Sequence, residues 1–222
     1  MYRFLKRGID LFIAILALII FSPLWLVSII LLALTGEREI FYLQKRIGYK
    51  SKPFFIWKFA TMLKNSPNMG TGEITLRKDP RVTPVGNFLR KSKINELPQL
   101  INVFKGEMSI VGPRPLMEVS YNLYDPDTGK KIYLSLPGIT GIGSIIFRDE
   151  EQIVSKSSNQ RETYEKIFDY KQKVELWYQE NASFSVDTVI IFLTAWSILF
   201  PKNQLTFKIF KSLPQRPAFF NE

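Results

Sequence analysis

The chain has 222 residues, 46% of them hydrophobic, a formal charge of +10, and neither cysteine nor histidine. That length suits one ordinary domain plus an appendage, and the apolar content suffices for a core together with a membrane-embedded piece. Disulfides, thiolate or imidazole metal sites, a cysteine nucleophile and a histidine base are excluded. Acid–base, metal or nucleophilic chemistry therefore falls to Asp, Glu, Lys, Tyr, Ser or Thr, and a metal held by carboxylates and phosphates would be a hard cation such as Mg²⁺.

The basic surplus points to anionic partners: nucleic acid, anionic lipid or phosphorylated metabolites. It is concentrated between residues 36 and 115, where fifteen Lys/Arg face six acids. A solubilising surface is the plain alternative to a shared anion site. No nucleic-acid motif accompanies the charge, and nucleic acid is not expected as a partner.

In chain order, a basic start (Arg3, Lys6, Arg7) leads into the apolar run Ile9–Leu34. Its 26 residues would reach about 39 Å as one straight helix, against roughly 30 Å of hydrocarbon core. Pro23 sits near the middle, removes a backbone donor and disfavours helix at Ser22. Both flanks are basic, which draws both ends to the cytoplasmic side. The expectation is a re-entrant helix–break–helix over residues 1–36, broken at Ser22 and Pro23, with the Ser22 hydroxyl serving a freed backbone group. A single spanning anchor is the alternative. Asp10 is expected to pair with Lys6 or Arg7 at the interface.

Residues 37–222 are expected to form the cytoplasmic, membrane-associated domain. Ile40–Leu43 and Phe54–Phe59 are β-prone, with a turn over Ile47–Pro53, and predict a short hairpin. Asn65–Gly72 and Asp79–Pro84 read as loops. In the central stretch Leu89–Pro115, Ile94, Leu97, Leu100 or Ile101, and Phe104 recur at helical spacing, which turns Asn95, Glu96, Gln99 and Asn102 to the other side. Pro98 suits the first position of a helix over Pro98–Phe104. Gly112-Pro113-Arg114-Pro115 is rigid and could present the Arg114 guanidinium to phosphate or carboxylate. Asp125–Lys131 reads as a turn. Pro137–Gly143 is a Gly-rich loop without the lysine and spacing of a Walker A loop. Tyr164–Asn181 is a charged helix, Val186–Phe200 a core or interfacial helix, and the Phe/Lys alternation at Phe207–Lys211 suits a membrane interface. The fold class expected is α+β, mostly α-helical, with one β-hairpin and interfacial amphipathic helices.

These pieces taken together resemble the bacterial sugar transferases known as monotopic, or small, phosphoglycosyl transferases. The resemblance rests on Lys6-Arg7 and Asp10 before the break at Ser22-Pro23, Gln44-x-Arg46-x-Gly48, Lys58-Phe59 with Thr61-Met62, Asp79-Pro80-Arg81-Val82-Thr83, Leu89-Arg90-Lys91, Glu96-Leu97-Pro98-Gln99, Gly106-x-Met108-Ser109-x-Val111-Gly112-Pro113-Arg114-Pro115, Pro137–Gly141, and Tyr178 with Asn181, Ser183 and Asp187. It implies transfer of a phospho-sugar from a UDP-sugar to a polyprenol phosphate at the cytoplasmic face of the bacterial inner membrane. UMP is released and assembly of a surface glycan begins. By the same resemblance Mg²⁺ is the cofactor, and Asn95 and Glu96 occupy the catalytic pair. Glu96 is placed on the metal, Arg81, Thr83, Arg90 and Arg114 around the phosphates, and Lys58 nearby. The expected partners are UDP-sugar, polyprenol phosphate and membrane lipid, with a homodimer left open. The family pattern has Asp where this chain has Asn95, so a covalent aspartyl intermediate cannot form there as written. Ala60, Ser144 and Glu175 are smaller departures. Two function classes follow: a transferase working by an altered route, in which Glu96 attacks or the acceptor attacks directly, and a binding or scaffolding homologue without turnover.

Overall fold

The computed structural model describes residues 2–69, 79–157, 159–200 and 205–217. The fold is α+β and mostly helical. Two N-terminal helices, α1 (Tyr2–Ile20) and α2 (Ser22–Leu34), meet at a 61° bend. The cause is local. Pro23 has no N–H to give the Ile19 carbonyl, and the Ser22 hydroxyl donates to that carbonyl at 2.8 Å instead. No single described helix is long and apolar enough to cross a membrane; α1 and α2 reach that length and composition only as a bent pair. Their outer faces leave Phe12, Ile19, Ile20, Leu26 and Leu34 exposed.

The inner face of α1 is bonded into the rest of the chain. Ala14 is buried against Leu100, Val103 and Met108. Asp10 does not pair with Lys6 or Arg7: its Oδ1 accepts from the Ile110 N–H at 3.0 Å, and it is only 4% exposed. Lys6 instead reaches Asp187 at 2.5 Å. Arg7 donates to the Val103 and Phe104 carbonyls at 2.6 and 3.0 Å, a cation on the last carbonyls of a helix. The interface pairing expected of Asp10 gives way because buried backbone groups need partners and Asp10 stands beside one.

The hairpin forms as expected, with a longer first strand: β1 (Phe41–Ile47) pairs antiparallel with β2 (Pro53–Phe59). Trp25 of α2 stacks edge-on to Phe59 at 5.4 Å, which ties the helix pair to the sheet. Then come α3 (Pro84–Lys91), a 3₁₀ turn over Ile94–Glu96, and α4 (Gln99–Lys105) with Pro98 ahead of it. The buried face of α4 is Gln99, Leu100, Asn102 and Val103, whereas Phe104 is 56% exposed. Helical spacing of the apolar residues alone turns Gln99 and Asn102 to the other side. Asn102 can be buried because its side chain serves an open strand edge. Its Oδ1 accepts from Trp57 N–H at 3.0 Å and its Nδ2 donates to Phe55 O and Glu107 Oε2, both at 2.7 Å.

A three-residue strand, β3 (Ser109–Val111), leads to the Gly-Pro-Arg-Pro segment, a short α5 (Glu118–Tyr121) and α6 (Pro126–Ile132). The last is a helix where a turn was expected; Asp125 caps it by accepting from Thr128 N–H at 2.9 Å, and Pro126 opens it. Next, β4 (Gly138–Thr140) pairs parallel with β3. A β-carbon at Gly138 would fall 2.1 Å from the Gly112 nitrogen, and one at Gly141 would fall 2.1 Å from the Gly112 oxygen. These glycines exist for close backbone approach, which accounts for the loop's composition without a phosphate. After α7 (Ile142–Ile146) and α8 (Glu150–Lys156), the long α9 (Gln160–Asn181) runs through the core, burying Ile167, Val174 and Tyr178. One face of α10 (Phe184–Leu199) is buried at Ile190 and Leu193; Phe192, Ile198 and Leu199 stay exposed on the other. In α11 (Leu205–Ile209) and just after it, Phe207 and Phe210 pack on the core instead of an interface, with Lys208 and Lys211 outward.

Candidate active site

The 3₁₀ turn carrying Asn95 and Glu96 packs between α3 and β2. Lys93 opens it at φ 61°, a left-handed conformation uncommon for a residue with a side chain. Asn95 is 8% exposed, and its amide oxygen is buried without a hydrogen-bond donor. Glu96 is half-buried, and no hydrogen bond or ion pair among the described residues occupies its carboxylate.

Cations surround that carboxylate. Burial pushes the Glu96 pKa up, but Lys58, Arg114, Lys93 and Arg46 together bring it below the usual glutamate value. Lys58, half-buried on β2, is pushed down to about 7, first by burial and then by the Arg46 charge; Glu96 opposes this, while Arg114 and Arg90 add to it. Four like charges gathered around one carboxylate leave a net positive site that a polyphosphate would neutralise. Sequence reasoning passed over Arg46 as a site residue. The signal was present: Lys58 pairs across the hairpin with Tyr42, so it shares a sheet face with Gln44 and Arg46. Arg46 is steadied by Gln44 Oε1 at 2.7 Å and the Pro115 carbonyl at 3.3 Å.

Arg114 is exposed between two buried prolines. Its backbone is fixed from both sides: the N–H donates to Glu175 Oε1 at 3.3 Å, and the carbonyl accepts from the Tyr133 hydroxyl at 2.7 Å. Glu175 is 1% exposed and pushed up to about 7, chiefly by burial. A β-carbon at Gly143 would fall 2.2 Å from its Oε1, so the glycine makes room for this acid.

Arg81 and Thr83 are committed elsewhere. The Arg81 guanidinium is 3% exposed and grips Asp79 through two nitrogens at 2.9 and 2.6 Å, with further bonds to the Ser66 and Met69 carbonyls. Thr83 caps α3 by accepting from Gly86 N–H at 3.0 Å. Gly86 must be small: its β-carbon would fall 2.1 Å from the Thr61 oxygen. These bonds of Arg81 and Thr83 serve the fold at the start of α3, whose last turn carries Arg90. Among the described residues no group of three or more acidic residues could hold a metal ion.

A family model, Bacterial sugar transferase, matches residues 1–201. The chain belongs to the bacterial sugar transferase family. Relatives of this transferase include the Exopolysaccharide production protein ExoY of Sinorhizobium fredii, 39% identical over 204 residues that make up 85% of this chain and 83% of that protein. It is also 34% identical to the UDP-N-acetylgalactosamine-undecaprenyl-phosphate N-acetylgalactosaminephosphotransferase of Aeromonas hydrophila over 200 residues, 89% of this chain and 44% of that one. With the Undecaprenyl-phosphate galactose phosphotransferase of Salmonella typhimurium the identity is 32% over 211 residues, 89% of this chain and 41% of the other. The transferase thus spans most of the first relative and less than half of the other two.

Proposed function

We propose that this sugar transferase moves a phospho-sugar from a UDP-sugar to polyprenol phosphate, releasing UMP, as the first membrane step of surface-glycan assembly. The observation that carries the reading is the cation set of Lys58, Arg114, Lys93 and Arg46 around Glu96, with Arg90 acting on Lys58, on a chain whose bent α1–α2 pair leaves an apolar outer face. A diphosphate donor and a lipid phosphate meet in such a place: the arginines take the charge of the phosphates, and the apolar helices keep a polyprenol within reach. The printed functions of the Aeromonas and Salmonella relatives, undecaprenyl-phosphate sugar-phosphate transfer, agree with this chemistry.

In this reading residues 1–36 form a re-entrant element in the inner membrane, and residues 37–222 form the catalytic domain on the cytoplasmic face. The relatives' names mention no homodimer. The oxygen donors fit Mg²⁺ held largely by substrate: the unoccupied Glu96 carboxylate and the orphaned Asn95 amide oxygen are hard donors, and the phosphates would complete the shell. When bound, the ion would supply positive charge to the transferring phosphoryl group. Arg114 and Arg90 orient the diphosphate, and Lys58 donates to it. The test is transfer of label from the β-phosphate of UDP-sugars into lipid extracts containing polyprenol phosphate. Labelled lipid is expected, with a loss of about 100-fold in Arg114→Met. Donor binding with no labelled lipid for any donor would establish the binding homologue instead.

A further inference from the structure

Resting on the transferase reading, we propose that Glu96 is the nucleophile of this chain and carries the phospho-sugar as a glutamyl acyl phosphate, a mixed anhydride, during turnover. The position before it cannot do so. Asn95 is a neutral amide, nearly closed to solvent, with its oxygen turned into the protein. Its lone pairs are delocalised into the amide, so the oxygen is a far weaker nucleophile toward phosphorus than a carboxylate.

The remaining carboxylates that lie inside the fold are already engaged. Asp79 is held by Arg81. Glu107 accepts from Asn102. Asp10 serves the Ile110 N–H. Asp187 takes Lys6, Tyr2 and Tyr178 at once. Glu175 is sealed beneath Arg114. Only Glu96 among the described inner carboxylates combines access, lack of a bonded partner and a surrounding of phosphate-binding cations. Lys93, in the left-handed region, opens the 3₁₀ turn that ends at Glu96.

The chemistry balances with groups already named. One Oε of Glu96 bonds to the β-phosphorus of the nucleoside diphosphate sugar. The bond from that phosphorus to the bridging oxygen breaks, and UMP leaves with the electron pair. A phosphate oxygen of polyprenol phosphate then attacks the same phosphorus, and Glu96 departs as a carboxylate. In this role the Glu96 carboxylate serves the phosphorus, and a bound Mg²⁺ would be held largely by the substrate phosphates.

The experiment uses the full chain in detergent with Mg²⁺ and UDP-sugar labelled in the β-phosphate, with and without undecaprenyl phosphate. Without acceptor, UMP release is expected to stop after a single-turnover burst, with hydroxylamine-labile label left on the protein. Borohydride reduction followed by peptide mass spectrometry should convert residue 96 of the native chain to hydroxynorvaline, so the assignment stands even where Glu96→Gln fails to fold. A folded Glu96→Gln chain should lose both burst and label. Label on Lys58, on a deamidated residue 95 or elsewhere would overturn the proposal. Acceptor-dependent UMP release with no protein label would also overturn it in favour of direct displacement, while leaving the transferase reading intact. Absence of UMP release with and without acceptor would refute both.

Discussion

Asn102→Ala tests whether α4 holds the Lys58 strand in place. The side chain makes three hydrogen bonds, to Trp57 N–H, Phe55 O and Glu107 Oε2, and it is 0% exposed. Each such bond contributes on the order of 1 kcal/mol net, and partly buried strand groups left without partners add to the loss, so about 3 kcal/mol is expected. For a chain of this size that corresponds to a fall in Tm of roughly 6–12 °C, read by thermal unfolding in detergent. Because Trp57 adjoins Lys58, transfer activity measured well below the new Tm should fall about tenfold further, a displacement effect on a positioned phosphate contact. Asn102→Asp keeps the acceptor for Trp57 N–H but sets a buried carboxylate against Glu107 Oε2 and the Phe55 carbonyl, so it should be no milder than Asn102→Ala in Tm. An unchanged Tm with unchanged activity would refute the claim that this amide joins α4 to β2.

Four other outcomes follow from the same contacts. Arg81→Met should lower Tm by removing a buried bidentate pair, at a cost of about 3–5 kcal/mol, whereas Arg114→Met should leave Tm nearly unchanged and cut activity; the reverse pattern would mean that their roles have been exchanged. Lys58, pushed down to about 7, is charged below that pH and neutral above it, so donor affinity should weaken as pH rises through 7; Lys58→Arg should flatten this limb, and a limb that persists would assign it to another group such as Glu175. Asp187→Ala strips one acceptor from Lys6, Tyr2 and Tyr178 and should destabilise by about 3–5 kcal/mol, with α1 becoming susceptible to proteolysis near Gly8. For topology, cysteines placed before Arg3 and near Lys50 should both resist labelling from outside intact spheroplasts; labelling of one end alone would rule out the re-entrant pair.

What could be read from the sequence was mostly local. The break at Ser22-Pro23 and the hairpin turn depend on residues within a few positions, and both are found where the pattern put them. The capping signals of α6 were local too, Asp125-Pro126 at the start and Lys130-Lys131 at the end, and were passed over because the segment is short. Other features needed partners far along the chain. Asp10 finds its donor 100 residues away, and Lys6 finds Asp187 across 181. Asn102 looked solvent-facing because helical spacing counts apolar residues and cannot see an open strand edge. Gly138 and Gly141 carry no reason in themselves until Gly112 comes against them, nor does Gly143 until Glu175 does. At the site, the motif named Arg81 and Thr83, but side-chain type says nothing of prior engagement with Asp79 or a helix end. Arg46 was hidden by the opposite effect: its strand alternation was visible, while its nearness to Glu96 required the fold.

The central claim is that a nucleoside diphosphate sugar is cleaved at this cation-ringed glutamate although Asn95 is neutral. It is tested most directly by UMP release from UDP-sugars with undecaprenyl phosphate and Mg²⁺, comparing the native chain with Asn95→Asp and Glu96→Gln. The account predicts turnover in the native chain and its loss in Glu96→Gln. Turnover that appears only in Asn95→Asp would contradict it.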